Sequence, residues 1–381
     1  MLHGWPPAQA GGTELYVAAL SEAQRQAGWE PLSYVAGRDV QGGRGVQRSF
    51  ADPEVERHFE SFLQKERPER VHIHHLTGLS MGLPRVAKKL GISVAFTLHD
   101  WWLGCARGQR VDRWGRRCAG AEPARCAGCV APLPALERLG PAVAQVLGRP
   151  WRRRMAEREQ ALEAMKGAVD RWLCPSKHLG PGLGLPALHL PLPLLRPLHP
   201  GPPPAPGPLR LLFAGAMIPT KGPQLLLDAI ESLPSSQFVL RLVGPLVPYA
   251  GRMRFAEALV QRAARRGVPV EQRSHAEMEE VLRESDVLVF PSIWEENSPS
   301  ILREAAAMGL PVVASDLAGV REIVPDAALF PVGDTGALGQ RLRAELSRGR
   351  RRLPPRLFPS MAEHRAALEG IYRGMKAPLL G

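Results

Sequence analysis

No stretch of 18 or more apolar residues occurs in the 381-residue chain, so nothing in it reads as a bilayer-spanning helix. Nor does a secretory signal open it. Cysteine is scarce: of five, four crowd into Cys105, Cys118, Cys126 and Cys129, which is not the spread of a disulfide framework. A reducing, cytoplasmic setting is therefore expected. Acidic residues are in deficit, with Asp plus Glu at 37 against Lys plus Arg at 49 and a net charge of +12, a balance that attracts phosphates, nucleic acid or anionic lipid. Lysine is sparse beside arginine, a bias attributed partly to genomic base composition, and by itself it names no partner. Hydrophobic residues at 45% and charged residues at 23% are ordinary globular usage, which excludes wholesale disorder, collagen-like repeats and stapled miniproteins.

Proline marks the organisation. Residues 186–208 hold ten prolines in 23 residues, which neither a helix nor a central strand tolerates, so this stretch reads as a linker. It separates a first domain, 1–185, from a second, 209–355, each large enough to bury its own core. Residues 356–381 read as an amphipathic helix able to pack back across either domain. In the second domain, apolar runs such as LRLLFAG, FVLRLVG and DVLVFPS alternate with helical patterns, the signature of a parallel sheet covered on both faces. The first repeats this less cleanly, with PLSYVAG, RVHIHHL, SVAFTLHD and RWLCPS as strands and a helix presenting Tyr16, Leu20, Ala23 and Ala27. A first strand is expected before the Gly11–Gly12 loop, where two or three residues are available for it, so a start further upstream is anticipated. The fold class is α/β, two Rossmann-like domains.

The sharpest chemistry lies in WEENSPSILREAAAMGLPVVASD, where Glu296 and Glu304 are separated by seven residues. Ser298 reads as the N-cap and Pro299 as the first helical residue, leaving the amides of Ser300 and Ile301 to face an anion. A carboxylate beside a helix start at a strand's carboxyl end suits a ribose diol, and Glu296 could grip a second sugar. After the domain's first strand stands AGAMIPTKGPQ, with Gly215, Lys221 and Gly222. It is not a P-loop, yet it presents a lysine for a diphosphate at a strand-to-helix turn.

These elements, with GGTELY, TLHD, the CPS strand end, FPSIWEENSP and EAAAMGLPVVASDLAGVREIV, resemble glycosyltransferase family 4, from Gly11 to about Tyr372. The resemblance implies a GT-B fold with two domains facing across a cleft, a nucleotide-diphosphate sugar donor on the second domain, an acceptor on the first, retention at the anomeric carbon and no catalytic metal. It implies that Glu304 holds the donor ribose, Glu296 the transferred sugar and Lys221 the diphosphate, with Asn297, Ser298 and Pro299 lining the pocket. His99 would meet the transferred sugar, and Gly11 and Gly12 would approach the phosphates. Two departures stand out: Ala216 replaces an arginine frequent five residues before the lysine, and Ser298 replaces a glycine common two residues after the first glutamate.

Other signals are less specific. His72 and His74 share one face of a strand, which fits cleft lining or packing better than a metal. The cysteines, spaced Cys-x12-Cys-x7-Cys-x2-Cys, allow two readings: a closed structural Zn site without a part in the chemistry, or four reduced thiols. Cys174 reads as core. Trp151 with Arg152, Arg153 and Arg154 opens either a solvated helix or a peripheral contact with anionic membrane; basic residues are otherwise too scattered for nucleic acid. The expected activity is sugar transfer to a saccharide or lipid-linked acceptor in cell-surface polysaccharide or glycolipid synthesis. A nucleotide-sugar epimerase of the same fold and a non-catalytic scaffold in a polysaccharide assembly complex are the alternatives.

Overall fold

The computed structural model describes residues 11–40, 50–112, 115–118, 120–130, 149–201, 206–249, 251–325 and 327–375. It divides into two compact units, Met1–Leu195 with Pro359–Gly381, and Arg196–Phe358.

The first unit runs α1 (Gly12–Gln26), α2 (Pro53–Glu66), β1 (Arg70–Ile73), α3 (Leu83–Lys89), β2 (Ser93–Thr97), α4 (Pro123–Val130), α5 (Arg149–Lys166), β3 (Arg171–Cys174), α6 (Leu179–Gly182) and β4 (Leu188–His189). The strands pair in parallel in the order β1-β2-β3-β4. Every residue of β2 is buried, because helices cover both faces of the sheet. α2 begins where Asp52 accepts hydrogen bonds from the amides of Glu54 and Val55, and it buries Val55, Phe59 and Leu63 at helical spacing.

Three readings need correction here. PLSYVAG forms no strand: Gly37 turns the chain at φ +76°, and the Val35 amide donates to the Asp39 carboxylate at 2.7 Å instead of to a ladder. In α1 the buried residues are Glu14, Tyr16, Val17 and Leu20, while Ala27 is the exposed C-cap. The proline-rich stretch is not a free linker throughout. β4 lies within it as a short edge strand on β3, the position in a sheet that tolerates neighbouring prolines, and Leu192 is core.

The second unit contains β5 (Leu209–Ala214), α7 (Pro223–Ala229), β6 (Phe238–Val243), α8 (Arg254–Ala264), β7 (Val270–Glu271), α9 (Met278–Arg283), β8 (Val287–Phe290), α10 (Ser300–Ala307), β9 (Val312–Ser315), α11 (Ala318–Ile323), β10 (Ala328–Phe330) and α12 (Thr335–Arg348). All its strand pairs are parallel, in the order β10-β9-β8-β5-β6-β7. The winding reverses between β5 and β8, the switch point at whose carboxyl edge ligands sit in open α/β sheets. At the opposite edge the fully buried Asp286 accepts from the Arg210 amide and guanidinium and forms an ion pair with Arg350, tying the start of β8 to β5.

The last helix, α13 (Met361–Arg373), belongs to the first unit. A Ser360–Glu363 capping box starts it, and Leu368 and Tyr372 pack with Tyr16, Val17 and Leu20 of α1. Among the described residues no helix is long and apolar enough to cross a membrane.

Candidate functional site

Both loops at the β5/β8 switch point carry predicted site residues. β5 ends at Ala214, and the chain passes Gly215 into a short 3-10 turn, Pro219–Lys221, before α7. Gly222 follows at φ +77°, and a Cβ there would collide with the Pro291 carbonyl, so only glycine brings the lysine turn this close to the end of β8. The amide of Ile293 then donates to the Thr220 carbonyl, clamping the two loops.

The clamp places Lys221 Nζ 2.6 Å from Glu296 Oε1. Glu296 is 4% exposed and also accepts from Ser292 Oγ at 3.0 Å, so its carboxylate is desolvated but doubly held. The lysine keeps 23% of its side-chain surface and lies over the rings of Trp294 and Phe290, 5.0 and 5.9 Å from their centroids. Near this pair the indole Nε1 of Trp294 and the Thr220 hydroxyl are buried with no partner. An oxygen-rich ligand would satisfy both.

Asn297, Ser298 and Pro299 lead from Glu296 into α10. The expected cap is displaced by one residue: Pro299 is the N-cap, and Ser298 lies outside the helix, its hydroxyl and carbonyl both taken by Arg303. Proline offers no side-chain acceptor, so the first-turn amides, Ser300 and Ile301 among them, have no side-chain cap. Glu304, 6% exposed, lies one turn deeper, with Oε1 3.3 Å from His275 Nε2. Gly319 packs against the Glu296 and Asn297 carbonyls where a Cβ would clash, which supports the acidic loop from behind.

The second unit thus brings together Lys221, Gly222, Glu296, Asn297, Ser298, Pro299, Ser300, Ile301 and Glu304, with Gly215 at the end of β5. Gly11, Gly12, His99 and the four loop cysteines belong to the first unit. There Gly11 is the N-cap of α1, and Gly12 is its first residue. His99 follows β2 by two residues, and its Nε2 lies 3.1 Å from Nδ1 of His74. His72 bonds Tyr372 Oη at 2.5 Å and Thr97 Oγ1 at 2.8 Å, and Tyr16 Oη meets His364 at 2.8 Å. Burial pushes the imidazoles of His72 and His74 well below their usual range, so both are neutral and serve as hydrogen-bond partners.

Among the described residues the cysteines form no disulfide. Burial pushes the Cys126 thiol up, and Cys105 and Cys118 are close enough to add to the effect. Among the described residues no group of three or more His, Cys, Asp or Glu is arranged to hold a metal. Arg158, buried on α5, donates to the carbonyls of Trp102 and Leu103 and so orders the turn after β2. Trp151 opens α5 with Arg154 over its ring at 5.4 Å.

Sequence reasoning left four site residues without a role. Ser292 and Trp294 stand inside FPSIWEENSP, and their strand-end position was the available signal. His275 lies inside the Ser274–Glu277 capping box, and its approach to Glu304 depends on tertiary packing. Arg303 gave no signal at all, since a helical arginine is normally solvated.

Comparison with known proteins matches residues 10–180 to the model described as Glycosyltransferase Family 4 and residues 208–348 to that of Glycosyl transferases group 1. A D-inositol 3-phosphate glycosyltransferase of Xylanimonas cellulosilytica is 36% identical over 124 residues, 30% of this chain and 28% of that protein. The match thus spans less than a third of that relative's length. Among solved structures, a sucrose-phosphate synthase from Thermosynechococcus elongatus aligns over 96% of this chain and 94% of its own, with TM-score 0.62 and 19% identity. Anabaena HepE, solved with UDP and glucose, aligns over 98% and 99%, with TM-score 0.58 and 14% identity. At these identities the structural likeness establishes the fold, GT-B, and the two sequence models account for both units: the chain belongs to glycosyltransferase family 4.

Proposed function

We propose that the protein is a retaining glycosyltransferase that binds a nucleotide-diphosphate sugar on its second unit and transfers the sugar to an acceptor hydroxyl. The observation that carries this reading is the Lys221–Glu296 pair beside the uncapped start of α10, at the β5/β8 switch point. A diphosphate draws Lys221 away from Glu296, and Glu296 is then available to a sugar hydroxyl. Glu304 accepts from the ribose diol. The bond from the anomeric carbon to the β-phosphate oxygen breaks, a bond to the acceptor oxygen forms on the same face, and the acceptor proton passes to the departing phosphate. Lys221 and the α10 amides stabilise the charge that develops on the leaving group. His99 is assigned to the transferred sugar, and the Gly11–Gly12 loop to the phosphates. The acceptor is a saccharide or lipid-linked saccharide of cell-surface polysaccharide or glycolipid synthesis, and the site of action is cytoplasmic, with Trp151 and its arginines as the membrane-facing element. A structural zinc on the four cysteines is a separate proposal, read by the zinc content of the purified protein.

Thermal unfolding with nucleoside diphosphates and their sugars tests the donor site. One preferred nucleotide at 100 times its Kd adds about 2.7 kcal/mol. UDP heads the panel because the Anabaena neighbour was solved with it. No stabilisation by any nucleotide would favour the scaffold, and isomerisation of the donor without acceptor would favour the epimerase.

A further inference from the structure

β1 and β2 pair in parallel with Ile73 opposite Phe96, so the two chains leave the sheet side by side at its carboxyl edge. His74 is the first residue beyond β1 and His99 the second beyond β2, and there His74 Nδ1 lies 3.1 Å from His99 Nε2. Among the described residues this is the only hydrogen bond of the His74 side chain. His74 is 5% exposed and walled in by rings. His72 lies 4.1 Å away between centroids, and Tyr16 meets it edge-on at 5.8 Å while standing 5.7 Å from His99. These neighbours are themselves held, His72 by Tyr372 and Thr97, and Tyr16 by His364. A ring packed this way cannot turn without displacing the others, so its Nδ1 is fixed in place. Burial, reinforced by His72 and His99, pushes its pKa well below the usual range, so the imidazole is neutral and carries one N–H. Where two ring nitrogens meet, one donates and the other accepts, and the partner of one nitrogen settles what the other can offer. Packing alone would be served by an apolar ring. His74 instead commits its single bond to His99.

We infer that His74 is a positioning residue for sugar transfer, its Nδ1 fixing the ring orientation and tautomer in which His99 meets the transferred sugar. This role rests on the assignment of His99 to that sugar, and His74 acts only through His99.

The test compares wild type with three variants. His74→Leu fills similar space without a hydrogen bond, His74→Asn places an amide nitrogen or oxygen near the position of Nδ1, and His99→Ala removes the ring. Ring-nitrogen chemical shifts of His99 report its tautomer with no ligand present. Calorimetry then gives the affinity of UDP-glucose and UDP-N-acetylglucosamine relative to UDP, and of GDP-mannose relative to GDP. One dominant His99 tautomer is expected in wild type and His74→Asn, and the averaged shifts of a free imidazole in His74→Leu. The ratio of sugar-nucleotide to nucleotide affinity is expected to fall about 3- to 10-fold in His74→Leu and at least as far in His99→Ala, with recovery in His74→Asn and the nucleotide itself bound within twofold throughout. Unmoved His99 shifts in a folded His74→Leu would reduce His74 to packing and overturn the inference. A ratio that falls in His99→Ala but not in His74→Leu would also overturn it, leaving the assignment of His99 standing. If the ratio holds in His99→Ala too, that assignment falls and the role of His74 with it. If wild type binds none of these compounds, the donor reading falls as well. Should His74→Leu not fold, His74→Gln, whose amide reaches the Nε2 position instead, takes its place with the same expectations.

Discussion

Lys221 holds the site's most exposed charge, and its partner Glu296 is among its most buried. Replacing Lys221 with alanine leaves Glu296 bonded to Ser292, so folding survives, while the leaving group loses a cation. Turnover is expected to fall about 10²- to 10³-fold, with a drop in melting temperature as well because the buried Glu296 carboxylate loses its cation, measured by kcat and by thermal unfolding. A variant that turns over at the wild-type rate would remove Lys221 from the mechanism. His72 and His74 make a different prediction. Burial lowers both pKa values in the folded state, so the unfolded chain takes up protons first as pH falls below about 6.5. Stability is therefore intact above neutrality and declines from about pH 7 towards pH 5. Calorimetry across that range should show the decline, reduced in His72→Gln. At this scale the two glutamates and Lys221 were singled out by residue type and spacing, and His99 by the family resemblance. Arg303 was not, because only its folded surroundings distinguish it from a solvated arginine.

At the scale of elements, the site depends on how β5 and β8 are joined at both ends. Gly222 permits the approach at the carboxyl edge. Alanine there must hold φ near +77° and meet the Pro291 carbonyl, so Gly222→Ala is expected to cost more than 1–2 kcal/mol and to weaken donor binding as well. Urea unfolding and nucleotide titration would read the two effects separately. Asp286 is the tie at the opposite edge. Burial raises its carboxyl pKa, but hydrogen bonds from Arg210 and the charges of Arg210 and Arg350 outweigh that and hold it below the usual value. Because the folded pKa is the depressed one, this stabilisation is present above about pH 4 and lost as pH falls further. Asp286→Ala strands two guanidinium groups, and a loss of about 3–5 kcal/mol in urea unfolding is expected. Most strands were recognisable from continuous apolar runs. PLSYVAG was not a strand despite the same composition, because Asp39 and Gly37 made a turn of it, and β4 hid among prolines because an edge strand needs few ladder bonds.

For the whole molecule, the chain returns at its end to the unit in which it began. Tyr372 bonds His72, and His364 links Tyr16 to the Pro191 carbonyl, so α13 fastens α1, β1 and the stretch after β4 at once. Ending the chain at residue 358 uncovers Tyr16, Val17, Leu20 and Leu192. With about 1.5–3 kcal/mol for each large apolar side chain returned to water, the shortened protein is expected to lose the first unit's thermal transition or to aggregate. A shortened protein that melts like the full chain would show that α13 is dispensable. Alternation of apolar runs with helical patterns, and the clusters around Lys221 and Glu296, were sufficient to assign the fold class and family, because strand periodicity and local turn chemistry are written in contiguous residues. Strand order, the home of the last helix, the Lys221–Glu296 pairing across 75 positions and the burial of Arg303 came only from the tertiary structure. Each is a contact between segments distant in sequence, chosen by packing and charge compensation, which no local pattern encodes.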